Sequence, residues 1–218
     1  MGKISPAIVP RPKLAPEPPE TAPPAILALT SGDRAEADAW LRARGVAPGF
    51  VALAPGSIWG TKRWPGYAEL AAALEGPVVI LGGREDEALA GAVAAAAPGR
   101  AHSAAGAIGL RTSAALIERA AVLVTNDSAP LHLATAVGTP VVALFGPTVP
   151  AFGFGPRGPR DLVVEHSSLP CRPCSAHGPE VCPLGHHRCM KELSVAAVLS
   201  AVASVSDLEA HRAIRTGH

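Results

Sequence analysis

The sequence predicts an α/β fold in which a parallel β-sheet is covered by helices on both faces. Its short apolar runs are continuous rather than alternating, as is typical of strands buried on both sides. These runs lie at 51–54, 78–82, 122–125 and 141–145, and weaker strands are expected at 100–103 and 162–165. Helical patterns alternate with them, as in repeated βαβ units. With 218 residues, 48% of them hydrophobic, the chain is long enough to bury a full-sized core.

Three crossover helices are predicted between these strands. The first spans 65–75, with Pro65 at a helix-start position, and ends at Gly76. The second spans 84–97 and opens on acidic residues that suit the positive end of the helix dipole. The third is expected behind an N-cap at Thr112 or Ser113.

The two ends of the chain differ in character from its centre. Proline is frequent over residues 1–25, which therefore read as a linker or tail. Residues 26–206 are predicted to form one domain, which ends in an amphipathic helix capped by Ser194. Residues 207–218 are expected to be a C-terminal tail.

Charge and hydropathy exclude several functional classes. The formal net charge is +1, and aromatic residues make up 4% of the chain, which argues against a nucleic-acid partner. No apolar run approaches the roughly 18 residues that span a bilayer, so at most peripheral membrane contact is expected. The sequence indicates a cytoplasmic protein that binds any anion locally.

The loop after the first strand carries an anion-binding pattern. It reads APGSIWGTKRWP, where Gly56 and Gly60 allow close backbone approach and Ser57, Lys62 and Arg63 supply donors and positive charge. A Walker loop would need Ser or Thr after the lysine, and this chain has arginine there. The alternative is a surface turn whose cations are solvated.

The loop after strand 122–125 begins a helix in a way that favours phosphate. Ser128 stands at the N-cap, so the N–H groups of Ser128 and Ala129 would face outward, and His132 lies on the first turn. Asp127 would repel a diphosphate unless it accepts hydrogen bonds from sugar hydroxyls. Alternatively, Asp127 and Ser128 only cap the helix and His132 is a half-buried imidazole.

Both loops belong to longer motifs that carry a family resemblance. PGSIWGTKRWP, followed by YAELA, and TNDSAPLHLATAVGTPVVALFGPT lie about 65 residues apart. Together they resemble the C-terminal, donor-binding domain of glycosyltransferase family 9, the ADP-heptose:lipopolysaccharide heptosyltransferases. The resemblance covers roughly residues 45–205. It implies a Rossmann-like half of a GT-B glycosyltransferase and an inverting transfer from an ADP-sugar donor that requires no cofactor.

The resemblance also implies a set of donor-binding residues. They are Ser57 and Lys62 at the diphosphate, Asp127, Ser128, Ala129 and His132 around phosphate and sugar, Ile108 at the adenine, and Glu85 or Glu87 at a ribose hydroxyl. At Ala129 the family signature more often has glycine. In the family, the acceptor domain and the general base precede this domain, so the lipopolysaccharide core acceptor would bind through an N-terminal domain missing here. No catalytic residue is therefore assigned.

Residues 166–191, called here the Cys/His segment, contain all four cysteines of the chain. Cys171, Cys174, Cys182 and Cys189 are close enough in sequence to form a structural Zn²⁺ site. One or two local disulfides, or free thiols, are the alternatives. For the whole chain, the alternatives to a transferase half are a stand-alone module that binds a nucleotide-sugar without catalysis, and a zinc-loop nucleic-acid domain that the charge disfavours.

Overall fold

The computed structural model describes residues 25–216, with side chains placed up to residue 206. Six parallel strands form one sheet: β1 (Val51–Ala54), β2 (Val78–Ile80), β3 (Ala101–Ser103), β4 (Val122–Asn126), β5 (Val141–Phe145) and β6 (Leu162–Glu165). Their order across the sheet is β3-β2-β1-β4-β5-β6. The predicted parallel sheet is confirmed, including the two weaker strands.

Seven helices accompany the sheet within the described residues. They are α1 (Ser31–Arg42), α2 (Tyr67–Ala73), α3 (Glu87–Ala95), α4 (Leu110–Arg119), α5 (Ala129–Val137), α6 (Arg188–Lys191) and α7 (Val195–Thr216). Short 3-10 turns at Gly60–Lys62, Arg84–Asp86 and Pro150–Phe152 follow β1, β2 and β5. None of the helices between residues 25 and 216 combines the length and apolar character that crossing a bilayer requires.

The helix boundaries correct several sequence expectations. The predicted cap at Thr112 or Ser113 is wrong, because α4 begins at Leu110 behind Gly109, and the Thr112 hydroxyl donates instead to Glu36 of α1 at 2.7 Å. The predicted helix 84–97 is divided between a 3-10 turn and α3. Ser194 does cap α7, since its hydroxyl accepts from the Ala197 N–H at 3.2 Å.

The domain boundaries stay a prediction. Except for Ala25, the proline-rich segment lies outside the described residues, as do residues 217–218. The α7 helix continues through most of the predicted tail, as far as Thr216.

Helix α1 was not anticipated from the sequence. Thr30 and Asp33 form a reciprocal capping box at its start, in which the Thr30 hydroxyl accepts from the Asp33 N–H and the Asp33 carboxylate accepts from the Thr30 N–H. Trp40 and Leu41 are buried against the sheet. Arg34 of α1 also forms a bidentate ion pair with Glu118 of α4, and this pair lowers the pKa of the Glu118 carboxyl.

Alternate residues of the four central strands, β1, β2, β4 and β5, build two separate cores. Val122 and Val124 of β4 face the layer that contains α2, α3 and α7, whereas Leu123 faces the layer of α1, α4 and α5. This arrangement leaves the ends of the strands as the place for functional loops. The chain runs from β1 outward to β2 and β3 and then returns to β4 on the other side of β1, so the crevice between β1 and β4 is the topological switch point of the sheet.

Candidate functional site

A cavity of about 560 Å³ opens at the carboxyl ends of the strands, over this switch point. The structure brings together eight of the nine residues predicted to bind the donor. These are Ser57, Lys62, Glu85, Ile108, Asp127, Ser128, Ala129 and His132. A cavity of this size and position is where doubly wound proteins bind nucleotides.

The ninth residue, Glu87, does not line the cavity. Its side chain lies at the start of α3, against Gly106 in the loop after β3. Glu85 and Asp86 line the cavity in its place. The Asp86 carboxylate, which the sequence reasoning missed, accepts from the Gly83 N–H at 3.0 Å. Of the two carboxylates predicted for the ribose, Glu85 therefore remains the candidate.

Lys62 and Asp127 form an ion pair at the centre of the cavity floor. Lys62 Nζ lies 2.6 Å from Asp127 Oδ2, and the two side chains are only 10% and 7% exposed. The Thr148 hydroxyl, buried after β5, donates to the same carboxylate oxygen at 2.7 Å. An ammonium group has three N–H donors, so Lys62 keeps hydrogen-bonding capacity for a ligand while it is paired with Asp127.

Asn126 fixes the loop after β1 to the end of β4. Its side chain is fully buried, and the amide Nδ2 donates to the Pro55 carbonyl at 2.9 Å. The Oδ1 atom accepts from the Trp64 N–H at 3.3 Å and from the Tyr67 hydroxyl at 3.2 Å. Burial raises the pKa of Tyr67, which keeps its hydroxyl protonated as a donor. The two loops of the switch point are therefore held as one rigid unit.

The start of α5 offers free backbone donors to the cavity. Ser128 occupies the N-cap position as predicted, but its hydroxyl makes no capping bond and lies 3.3 Å from Thr125 Oγ1. Within residues 25–206, no protein acceptor takes the N–H groups of Ser128 and Ala129. Such unpaired donors at the positive end of a helix dipole bind phosphate.

The two ends of the cavity have different chemistry. Ile108, Leu81 and Ile117 form an apolar end beside β2 and α4. The opposite end is formed by Phe154 and by Ala176 and His177 of the Cys/His segment. A flat apolar base fits the first end, and a ligand that combines an apolar face with polar groups fits the second.

The family model for glycosyltransferase family 9 (heptosyltransferase) matches residues 17–182, three quarters of the chain. The chain belongs to glycosyltransferase family 9. The match includes both cavity loops and three of the four cysteines, and it ends before Cys189.

Individual family 9 proteins resemble this chain in sequence and in fold. The lipopolysaccharide heptosyltransferase 2 of Escherichia coli is 39% identical over 113 residues, which are 47% of this chain and 32% of that protein. The solved E. coli ADP-heptose heptosyltransferase II is 26% identical with a TM-score of 0.68, and a family 9 protein from Veillonella parvula is 24% identical with a TM-score of 0.71. Each comparison covers 84% of this chain and 54% of the solved chain. The chain spans 23–33% of the curated relatives that it matches.

In this family 9 domain the Cys/His segment packs against the loop after β1. The Gly60 N–H donates to Glu180 at 3.3 Å, the Thr61 hydroxyl to the Pro179 carbonyl, and a ring nitrogen of His187 lies 2.7 Å from the Thr61 carbonyl. Arg172 anchors the segment: its side chain is 4% exposed and donates to four carbonyls, among them that of Thr148, and to Glu165. The segment is thereby fixed to the cavity.

The four thiols of the Cys/His segment are free. Burial, together with the neighbouring thiolates, raises the pKa of Cys189 to about 11 and also raises that of Cys174. Among the side chains placed in the structure, no three of the His, Cys, Asp and Glu groups are arranged to hold a metal ion. Of the three alternatives for the cysteines, the structure contains free thiols, without a local disulfide or a grouping of three metal ligands among the side chains it places.

Proposed function

We propose that this chain is the donor-binding half of a heptosyltransferase, which transfers a heptose from an ADP-sugar to the inner core of lipopolysaccharide. The observation that carries the proposal is the Lys62–Asp127 pair, which lies beside the unpaired N–H groups of α5 at the switch point of the sheet. These groups would form an anion site, and the apolar end of the cavity at Ile108 lies beside it. A diphosphate joined to a purine matches both parts.

The chemistry of transfer follows from where charge develops. When the glycosidic bond to the diphosphate breaks, negative charge accumulates on the leaving phosphate. Lys62 and the start of α5 are fixed before the reaction and can stabilise that charge without reorganising. In the proposed mechanism this stabilisation requires no bound metal.

We further propose that the acceptor and the general base belong to a second domain, since the chain spans only a third or less of its curated relatives. The lipopolysaccharide core would then meet the donor across the open side of the cavity, at a cytoplasmic surface with at most peripheral membrane contact.

Calorimetric titration with ADP, UDP and GDP tests the proposed ligand. We expect ADP to bind most tightly, because the apolar end at Ile108 offers no partners for the extra polar groups of guanine, and the smaller uracil ring would bury less apolar surface there. Binding should weaken as salt is added, since the diphosphate is held by charge. Equal affinity for all three nucleotides would contradict an ADP site, and no binding to any of them would reject the proposed function.

Lys62→Ala should weaken ADP binding by about 1.5–3 kcal/mol, the range for a hydrogen bond to a charged group. Calorimetry on the folded variant measures the loss. Lys191→Ala is the matched control, because Lys191 lies on α6, outside the cavity, and is exposed. The same ADP affinity in wild type and Lys62→Ala would place the diphosphate elsewhere.

A structural Zn²⁺ in the Cys/His segment remains a prediction that thiol titration can test. In the metal-free form we expect four titratable thiols, with Cys189 reacting last, because it is 4% exposed and its pKa of about 11 leaves little thiolate at pH 8. Raising the pH toward 11 should accelerate its reaction. If purified protein carries about one equivalent of zinc and its thiols react only after a chelator is added, the segment is a metal site.

A further inference from the structure

The order of strands in the sheet lays out the cavity loops in a row. The loops after β3 and β2 carry Ile108 and Glu85 at one end, and the loops after β1 and β4 carry Lys62 and Ser128 in the centre. The segments after β5 and β6 carry Phe154 and His177 at the other end. If the diphosphate occupies the centre and the base and ribose occupy the end at Ile108, the sugar must lie at the end formed by Phe154 and His177. This step rests on the proposed function.

Three rings meet at that last end. The rings of Phe154 and His132 are 6.4 Å apart in an edge-to-face arrangement, and those of Phe154 and His177 are 6.5 Å apart. Phe154 is 44% exposed although it is a large apolar side chain, and both histidines are exposed. The cavity therefore presents an uncovered aromatic ring flanked by two imidazoles, each of which can donate and accept hydrogen bonds.

The position of His177 is fixed by the Cys/His segment. The next residue, Gly178, has a φ of +81° and is buried against Lys62 and Pro147, where a side chain would be strained. Its N–H donates to the Ser175 hydroxyl at 2.9 Å, and the Cys174 N–H donates to the Pro147 carbonyl at 2.8 Å. This tight turn holds His177 next to Phe154.

We propose that Phe154 and His177 form a subsite for a neutral pyranose, and that the Cys/His segment serves to build it. The apolar C–H face of the sugar packs on the Phe154 ring, and the His177 imidazole hydrogen-bonds a ring hydroxyl. Sites for polar ligands commonly combine an aromatic surface with a few placed polar groups in this way. The subsite lies beyond the diphosphate, so it acts on the sugar and not on the nucleotide.

Calorimetry with two probes, ADP and ADP-heptose, separates the sugar end from the nucleotide end. For Phe154→Ala and for His177→Ala we expect the Kd of ADP-heptose to rise about fivefold each, the effect of one neutral contact. The Kd of ADP should stay within about twofold of wild type, which also shows that each variant is folded. His186→Ala is the matched control, because His186 belongs to the same segment but does not line the cavity.

Two results would overturn the subsite, and they can be told apart. If ADP binds and both variants hold ADP-heptose as tightly as wild type does, the sugar lies elsewhere and the proposed nucleotide site stands. If wild type binds neither probe, the proposed function fails and the subsite with it. His177→Gln adds a further check: an amide keeps a donor and an acceptor, so it should recover part of the affinity that His177→Ala loses.

Discussion

Lys62→Met should lower the free energy of unfolding by about 3 kcal/mol, the lower end of the range for removing one partner of a buried ion pair. The substitution removes the charge that neutralises Asp127 and replaces lysine with an apolar side chain of similar length. The Asp127 side chain, which is 7% exposed in the wild type, would then keep only the Thr148 hydroxyl as a side-chain donor. Urea unfolding followed by circular dichroism measures the change as a shift in midpoint.

A second substitution tests whether the loss comes from the uncompensated charge. Asp127→Asn in the Lys62→Met background should recover part of the stability, because a neutral amide in this position needs no counter-ion and can still accept from Thr148. Lys191→Met serves as the control on an exposed lysine. A loss below about 1 kcal/mol in Lys62→Met would mean that the pair behaves as a solvated surface bridge.

The 218 residues alone should bind an ADP-sugar but transfer no heptose to a lipid A–core acceptor. Positioning of two reactants accounts for about 7–11 kcal/mol of a barrier, and a general base adds about 10²–10⁴-fold in rate. Under the proposed function, the described residues supply donor binding and leaving-group stabilisation only. Mass spectrometry of the acceptor, with ADP release measured in parallel, would detect any turnover.

Adding the N-terminal domain of a full-length relative, in trans or fused through residues 1–25, should then restore some transfer. Wild-type binding of ADP in the same preparation is the control for a competent donor site. Transfer by the 218 residues alone, lost in Asp127→Asn or in His132→Ala, would show that the base lies in this domain. The proposed division of labour between two domains would then be wrong.

Much of the fold could be predicted from the sequence, because each strand and helix of a parallel sheet has its own local pattern of apolar residues. Each central strand is a continuous apolar run, as in VVALF at β5, and the periodicity of the intervening helices is visible within a dozen residues. Helix α1 was missed although Thr30 and Asp33 carry a readable capping-box signal. Gly109 at the start of α4 was missed because Thr112 and Ser113 are better N-cap residues by type. The Thr112 hydroxyl instead donates to Glu36 of α1, a tertiary contact that no local pattern indicates.

Of the candidate site, mainly the residues that directly follow a strand could be predicted from the sequence. Ser57, Lys62 and the start of α5 follow directly from β1 and β4, and the structure places them in one cavity. The pairing of Lys62 with Asp127 joins residues 65 positions apart, which no local pattern reports. Thr148, Phe154 and His177 lie in irregular segments, whose path depends on contacts such as those of Arg172, so sequence spacing could not locate them.

The row of loops across the sheet separates the two ends of the cavity along the chain as well as in space. Every residue at the nucleotide end precedes position 134, and Phe154 and His177 lie after position 146. A recombination event between β5 and its following loop would therefore exchange Phe154 and His177 and keep Ile108, Leu81 and Ile117. His132 would stay with the earlier block, and Thr148, the partner of Asp127, would be exchanged with the later one. Under the proposed function, sequence variation after β5 would change the sugar preference while the residues proposed to hold the base and the ribose stay the same.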